Sequence, residues 1–532
     1  MKKSYFIGPL LALFLMGSQL YAQRVVLVEA SEDPENPTDL FTAIMGDTTA
    51  TGERTDVNTV YQLVNGGVYV VSDNIVNTPE WKLHIEAVDV TETDNKPILT
   101  RKPFESGTEF PNVMYPEGDV TLTNIWIISG EKLPGDNHDW GKIRLSGYGS
   151  RVEVTDCIIE KDRGGFLQVR ADSIQLIVKN CIFRNGGNRR VFQGNGRGID
   201  SRDRFFDSLV VKNSLVYNIQ DRFFRSQGRA DKAHHYVEID GCTSFNTAGR
   251  HGHIQLKNVE TAKITNNLFI NPIMLGSSPV YTDEQNQPDA DLHKVVTLDT
   301  LTSATQLTML NNNIFWTQDV LDYWASNDSV NAPPVLSDLV KQTLGADTTA
   351  AFFSEVLELE SIPGTILQYV VDLYNDPAST DMFDFIVEDA SLVGTDFDTG
   401  NLFDFSTFSP CYGPTAQSAT ASTTGGPIGA VGDCPQLATS IKGRINTSLS
   451  FGIAPNPVFG NATFRYQLTR SGEVSLAIYD LSGRVVDMTF MGVQAAGEQE
   501  ISWNPTSRIS NGLYVAKLQT AEGIQTLKFI KN

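Results

Sequence analysis

Basic side chains crowd residues 151–260, where 18 Lys and Arg stand beside 13 Asp and Glu in a chain of net charge −22. That stretch carries +5 and the rest of the chain −27. With recurring turn residues as origin, Arg190-Val191-Phe192-Gln193 superposes on Arg222-Phe223-Phe224-Arg225 and on Arg250-His251-Gly252-His253. The segment from Arg163 to Gln168 fits the series only with a shift. One column is then Arg190, Arg222 and Arg250, and a second is Gln193, Arg225 and His253. Alternation along an extended chain sends Ile254 and Leu256 one way and His253, Gln255 and Lys257 the other. Each guanidinium can grip a carboxylate with two parallel hydrogen bonds, so repeated arginines suit a polyanion whose carboxylates also repeat. Arg190, Arg222, Arg250 and Gln193 are the expected substrate-binding residues, and an acidic, uronate-containing polysaccharide is the expected partner.

Three chemistries fit this pattern. In a polysaccharide lyase, a base removes the proton α to the uronate carboxylate while a cation neutralises that carboxylate. Lys257, His253, His251 or Arg225 is the candidate base, and Arg222 or Arg250 the neutraliser. An arginine base requires a strongly lowered pKa, which makes lysine or histidine the easier choice. A glycoside hydrolase needs two carboxylates across a cleft, for which Asp200/Asp203 and Asp221/Asp231 are possible pairs among too many to choose from. A surface adhesin or structural scaffold needs no catalysis at all. The competing structural reading pairs the arginines with the interleaved Asp162, Asp200, Asp203, Asp207, Asp221 and Asp231 as ion-pair ladders, which when exposed add little stability. No metal or other cofactor is expected. Calcium is the weak exception, because Asp200, Asp203 and Asp207 carry oxygen ligands in a spacing that matches no familiar loop. Adjacent His234 and His235 point opposite ways on a strand and do not make a metal pair. Gly186-Gly187, Gly194, Gly196 and Gly198 read as corner turns, since none leads a strand into a helix. Phe205, Phe206, Phe223 and Phe224 read as packing rather than sugar platforms.

The elements that must hold these residues announce themselves by repetition. Asp156-Cys157-Ile158-Ile159 returns as Asn180-Cys181-Ile182-Phe183, Asn213-Ser214-Leu215-Val216, Gly241-Cys242-Thr243-Ser244 and Asn266-Asn267-Leu268-Phe269, at spacings of 24, 33, 28 and 25 residues. Asn124-Ile125-Trp126-Ile127 and Asn312-Asn313-Ile314-Phe315 extend the series at either end. Irregular periods of this size mark solenoids. Each copy follows an alternating apolar strand, which predicts an all-β right-handed parallel β-helix whose coils stack about 4.8 Å apart. Asn at the corner tolerates left-handed backbone geometry, and its amide can bond to the Asn of the next coil. Cys157, Cys181 and Cys242 share a crowded column with Ser214 and Asn267, as buried thiols.

In chain order, Lys2 and Lys3 before an apolar run to Met16 predict a signal peptide over residues 1–22, cleaved after Ala22. That run is too short to span a bilayer, and no later stretch is long enough to be a transmembrane segment. Residues 23–119 are expected to hold an N-terminal cap and the first coils, with a short helix capped by Thr38-Asp39. Residues 120–434 are the β-helix, interrupted near 335–378 by helical spacing in Asp338-Leu339-Val340, Phe352 to Leu359 and Ile366 to Tyr374. Phe403-Asp404-Phe405 and Ile428-Gly429-Ala430 are expected to close the last coil. Cys411 and Cys434 flank a Gly/Thr/Ser-rich loop and either pair across it or stay reduced. A polar linker over 435–450 precedes a small β-sandwich over 451–532. The chain's acidity argues against nucleic acid as a partner.

Ala454-Pro455-Asn456-Pro457, Leu476 to Arg484 and Asn511-Gly512-Leu513-Tyr514-Val515-Ala516-Lys517, with terminal Lys528-Phe529-Ile530-Lys531-Asn532, carry a specific resemblance. Together they resemble the type A carboxy-terminal sorting domain of the type IX secretion system. The resemblance implies export by the signal peptide, then passage across the outer membrane through recognition of this domain by the secretion machinery. It implies a final location outside the cell or on its surface, with the domain removed and the cargo released or anchored. The coils resemble the broad pectate-lyase-like superfamily of β-helices, through fold-level repeats and no catalytic signature. That superfamily holds lyases, hydrolases and non-catalytic adhesins, so the fold alone assigns no activity.

Overall fold

The computed structural model describes residues 23–532 apart from 34–35, 102–111, 129–142, 161, 163, 187–195, 227–230, 250, 278–292, 301–303, 329, 362–408, 433, 435–436, 438–450, 469–471, 480–484, 506–508, 521–522 and 532. The expected signal peptide, Arg190, Gln193, Arg250, Ile366 to Tyr374, Phe403 to Phe405 and nearly all of the linker lie outside the described residues. Two compact units divide the chain, one up to Leu437 and one from Ala438.

The first unit is a parallel β-helix with three sheets. The first sheet runs through Val25–Val28, Val60–Leu63, Leu83–Ala87, Val120–Thr123, Arg151–Thr155, Ile174–Lys179, Phe206–Lys212 and His234–Asp240, each strand parallel to the next. The second stacks Val68–Val71, Ile98–Arg101, Trp126–Ile128, Ile158–Glu160, Ile182–Gly186, Leu215–Ile219, Thr243–Thr247, Leu268–Ile270 and Asn312–Phe315 in the same sense. The third holds Ile143–Leu145, Gly165–Val169, Arg197–Arg202, Phe224–Ser226, the start of Ile254–Thr265, and Val296–Thr300. Strand Ile254–Thr265 turns no corner: its first half pairs with Val296–Thr300 and its second with Gln306–Leu310, joining the third sheet to the first.

Between the first and second sheets the corner residue is Asn124, Asp156, Asn180, Asn213, Gly241, Asn266 or Asn311, all at positive φ. The residue after it turns inward, so Cys157, Cys181, Ser214, Cys242 and Asn267 are buried in one column. All three of these cysteines are free thiols. The continuous amide ladder, however, lies at the far end of the second sheet. Asn218, Asn246 and Asn271 also have positive φ and are buried. Asn246 donates to Asn218 at 3.2 Å and Asn271 to Asn246 at 3.1 Å. At the first corner the amides turn to neighbouring aspartates instead, Asn180 donating to Asp156 at 3.1 Å and Asn266 to Asp240 at 2.7 Å. Inside the coils, leucine, valine, isoleucine and phenylalanine from all three sheets form one core, with Phe166, Phe183, Phe206, Phe223, Phe224 and Phe269 among its largest members.

Regular coils begin at Val25, so the stretch expected to combine cap and first coils is built largely of coil strands. Helix Leu40–Met45 adds Leu40 and Ile44 to the core. Its N-cap Asp39 accepts from Phe41 N at 3.2 Å and from the hydroxyls of Thr42 and Ser72 at 2.6 Å each. Burial pushes the Asp39 pKa up, but the hydrogen bonds from Ser72 and Thr42 outweigh it and hold the group below its ordinary value. Asp39→Ala is expected to cost about 1–2 kcal/mol in a urea transition at neutral pH. The folded pKa is depressed, so the stabilisation is present above the unfolded pKa. The gap between variant and parent therefore closes as pH falls through the folded one.

At the other end, helices Asp338–Leu344 and Thr348–Ala351 bring Val340, Leu344 and Ala351 onto the core over the last coil. The helical expectation holds at Asp338-Leu339-Val340 but fails at Phe352 to Leu359. There Phe352–Phe353 is a strand paired with Asn312–Asn313, and Leu359 opens another strand. Helix Gln318–Ala325 carried no expectation. Nor does Ile428-Gly429-Ala430 close a coil. It lies outside the second sheet, with Gly429 N donating to Asn266 O at 2.8 Å and Ala430 N to Thr243 Oγ1 at 2.9 Å. Cys411 and Cys434 are disulfide-bonded. Both join Tyr217, Phe245, Leu268 and Phe315 in a separate apolar cluster on that outer face.

The second unit is antiparallel throughout its named strands. Phe451–Ala454, Ala462–Leu468 and Gly497–Trp503 form one sheet. Val485–Gln494, Gly472–Tyr479, Gly512–Thr520 and Gly523–Lys531 form the other. Phe464, Leu476, Trp503, Tyr514 and Phe529 share the core between them. No described helix is long and apolar enough to cross a membrane.

Candidate functional site

The basic belt lies on the outer face of the third sheet, in a register different from the expected one. Inward-facing Leu167, Ile199, Phe224 and Ile254 set that register, each paired with the next. The outward column beside them reads Arg144, Gln168, Asp200, Arg225, Gln255 and Thr297. Arg225 is therefore level with Gln255, not with His253, and the expected column of Gln193, Arg225 and His253 does not form. By the same register Arg222 is level with Arg197 on one side and Gly252 on the other.

His253 corrects a second expectation. It lies just before the strand, is 0% exposed and faces the lumen, with its ring centroid 6.1 Å from that of Phe223 and 5.6 Å from that of Phe269. Neither ring nitrogen has a hydrogen-bond partner, and burial drives its pKa down to about 3. It is a neutral core residue out of reach of any outer-face substrate. Gln255 and Lys257 do face outward as alternation requires, between buried Ile254 and Leu256. The Lys257 ammonium is engaged by Asp299 on the neighbouring strand.

Arg222 does not emerge toward solvent. It is 2% exposed, donates from Nε to Asp221 at 2.7 Å and from Nη1 to Gln255 Oε1 at 2.6 Å. Asp221 is the hub of this cluster. Arg197 Nε lies 3.5 Å from it and His251 Nδ1 2.9 Å. Burial alone would raise the Asp221 pKa, yet Arg222, His251 and Arg197 hold it well below the carboxylate range. A second hub, Asp200, sits one step along the face, 3.0 Å from Arg197 and 3.6 Å from Arg225. Asp200 is buried too, and Arg197 and Arg225 lead the group that keeps it ionised.

Cations outnumber these anions. Arg225 is 5% exposed, with Nε buried and lacking an acceptor. Burial first, then the neighbouring Arg197, brings its pKa down to about 9, while Asp200 opposes the shift. Arg144 and Arg170, half-buried on the preceding coils, share the side-chain oxygen of Gln168 at 3.2 and 2.8 Å. Five guanidiniums thus stand along this face, with Arg197, Arg222 and Arg225 paired to Asp200 or Asp221, while among the described residues Arg144 and Arg170 have no carboxylate within ion-pair distance. Sequence reasoning missed Arg144, Arg170 and Arg197. The misfit of Gln168 to the series was the available signal, because it marked the frame as wrong.

No group of three or more His, Cys, Asp or Glu among the described residues is placed to hold a metal ion. Of the three aspartates weighed for calcium, Asp200 is taken by arginines, Asp203 lies 3.6 Å from Arg204, and Asp207 lies 3.1 Å from His235. Phe206, Phe223 and Phe224 are core residues. His234 is buried with Nδ1 accepting from Phe206 N, while His235 points outward, which separates the two as alternation requires.

Comparison with known proteins bears on the second unit. The family model described as "Secretion system C-terminal sorting domain" matches residues 452–532. This supports the type IX sorting assignment and places the protein at the cell surface or outside the cell. No curated protein matches the chain. Among solved structures, the crystal structure of an engineered protein aligns over 50% of this chain and 54% of its own, at 13% identity and a TM-score of 0.13. The chain spans about half the length of that protein, and a likeness this slight carries no argument.

Proposed function

We propose that the β-helix binds acidic, uronate-containing polysaccharide along the outer face of its third sheet, at the cell surface or outside the cell. The observation that supports this is the crowding of cations: Arg144, Arg170 and Arg225 share one face, and among the described residues the ion pairs of these three run to Asp200 alone. Uncompensated charge near the interior is costly, and an incoming carboxylate relieves it. The contact residues differ from the expected set. Arg144, Arg170 and Arg225 carry the reading, while Arg197 and Arg222 serve chiefly to hold Asp200 and Asp221. The resemblance of the coils to the pectate-lyase-like superfamily is compatible with this partner and adds no catalytic detail.

A lyase is the second reading, and one observation favours it. Arg225, brought down to about 9, comes within reach of deprotonation at mildly alkaline pH, as an arginine base requires, whereas His253 is sealed in the lumen and Lys257 is held by Asp299. In that reaction Arg225 takes the proton α to the carboxylate. The electron pair left behind forms the ring double bond as the bond to the glycosidic oxygen breaks, and that oxygen takes a proton from water.

The purified chain, passed over immobilised pectate, alginate and glycosaminoglycans, is expected to be retained by at least one and released by salt. Absorbance from unsaturated uronate in the flow-through would add the lyase. Retention without new absorbance would leave a binding protein or adhesin. Indifference to every polyuronate would end the proposal.

A further inference from the structure

We infer that Arg144, Gln168 and Arg170 form a subsite that binds a single uronate carboxylate, an inference that rests on the polysaccharide reading above and names its point of contact. Arg144 is the middle residue of strand Ile143–Leu145, and its buried neighbours turn it outward. Gln168 stands level with it on the next coil. Arg170 follows strand Gly165–Val169, and its backbone N–H is bonded to Leu145 O at 2.7 Å. The fold therefore delivers three polar side chains from two adjacent coils to one spot.

Gln168 is 2% exposed, and its oxygen accepts from Arg144 Nε at 3.2 Å and from Arg170 Nη2 at 2.8 Å. The two donor nitrogens consequently lie within about 6 Å of each other. Among the described residues neither guanidinium has a carboxylate within ion-pair distance, and Arg170 Nε is buried without an acceptor. Arg144 is shifted below its ordinary pKa by burial and then by Arg170, as two crowded cations should be. With the Gln168 oxygen already occupied, what the trio presents outward is donors alone: guanidinium N–H groups and one amide. Such a set fits a ligand that only accepts, and the planar fork of arginine matches a carboxylate. Both arginines are half-buried and more open than Arg222 or Arg225, so a ligand reaches them first.

The test is calorimetric titration of the purified full chain with trigalacturonate, its methyl ester and inorganic sulfate. The parent should bind the acid and ignore the neutral ester. Arg144→Gln with Arg170→Gln should weaken binding about tenfold or more. Arg144→Lys with Arg170→Lys, which keeps the charge and the fold but removes the fork, should also weaken it. Equal binding of acid and ester, or sulfate bound as tightly as the uronate, overturns the subsite. So does parental affinity in both double variants, and in that case the polysaccharide reading stands and only its point of contact falls. A parent that neither binds trigalacturonate nor is retained by any immobilised polyuronate ends both.

Discussion

Asp221→Ala is expected to destabilise the β-helix by about 3–5 kcal/mol, more than removal of any single arginine around it. Asp221 is 1% exposed and lies 2.7 Å from Arg222, 3.5 Å from Arg197 and 2.9 Å from His251. Taking the carboxylate away leaves Arg222 and Arg197 facing one another in a site with little water to screen them. Removing Arg222 has a milder consequence, because Asp221 keeps Arg197 and His251. Arg222→Met is therefore expected to cost only about 1–2 kcal/mol, the loss of one charged hydrogen-bonding partner. The double variant Asp221→Ala, Arg222→Met should recover part of the single-variant loss, a coupling visible in a double-mutant cycle. Urea transitions of the four proteins at neutral pH decide the matter. Equal losses for Asp221→Ala and Arg222→Met would show that the site is wetter than its burial implies.

The same cluster explains what the sequence made legible and what it hid. The first two sheets could be read because one residue type recurs at one structural event. The corner needs positive φ, and Asn, Asp or Gly meets that need at Asn124, Asp156, Asn180, Asn213, Gly241 and Asn266. Counting forward from that corner gives the second sheet its register from Ile158 to Ile182 to Leu215 to Thr243 to Leu268, and slips by one residue only at the last copy, where the corner is Asn311 rather than Asn312 and Leu268 pairs with Asn313 rather than Ile314. The third sheet has no such anchor. Its strands follow connections of unequal length, from Phe183 to Ile199, Val216 to Phe224 and Ser244 to Ile254, so the count from the corner drifts. Matching Arg to Arg then aligned residues of like charge rather than like depth. The aliphatic positions Leu167, Ile199, Phe224 and Ile254 were the better guide, since burial fixes a strand's facing and charge does not. Helical spacing misled at Phe352 to Leu359 for a related reason, because a short apolar run satisfies either period and pairing with Asn312–Asn313 decided it. The sorting domain was legible from its short signatures, because Asn511-Gly512 opens strand Gly512–Thr520 and the terminal Lys528-Phe529-Ile530-Lys531 pairs back along that strand.

Acid should loosen the β-helix well before its carboxylates protonate. His234 and His253 are both fully buried, and burial brings each down to about 3. His234 is held neutral with Nδ1 accepting from Phe206 N at 3.0 Å, so its proton sits on Nε2, 2.7 Å from Ser226 Oγ. After burial, nearby His235 adds to the shift of His234, and Asp221 opposes that of His253. A folded pKa below the unfolded value of 6.5 means that the unfolded chain binds protons first as pH falls. Stability from these two residues is thus complete above 6.5 and drains away between there and 3. Each contributes a slope of about 1.4 kcal/mol per pH unit within that window. The aspartates Asp200 and Asp221 also have depressed values, but their losses begin only near the unfolded value of 3.8, so the histidine effect stands apart at higher pH. His253→Leu, which keeps the lumen apolar, should remove about half of the two-histidine slope between pH 6 and 5 while leaving stability at pH 7.5 close to that of the parent. A slope unchanged by that substitution would mean that His253 takes up its proton in the native state, and that the lumen beside Phe223 and Phe269 admits water.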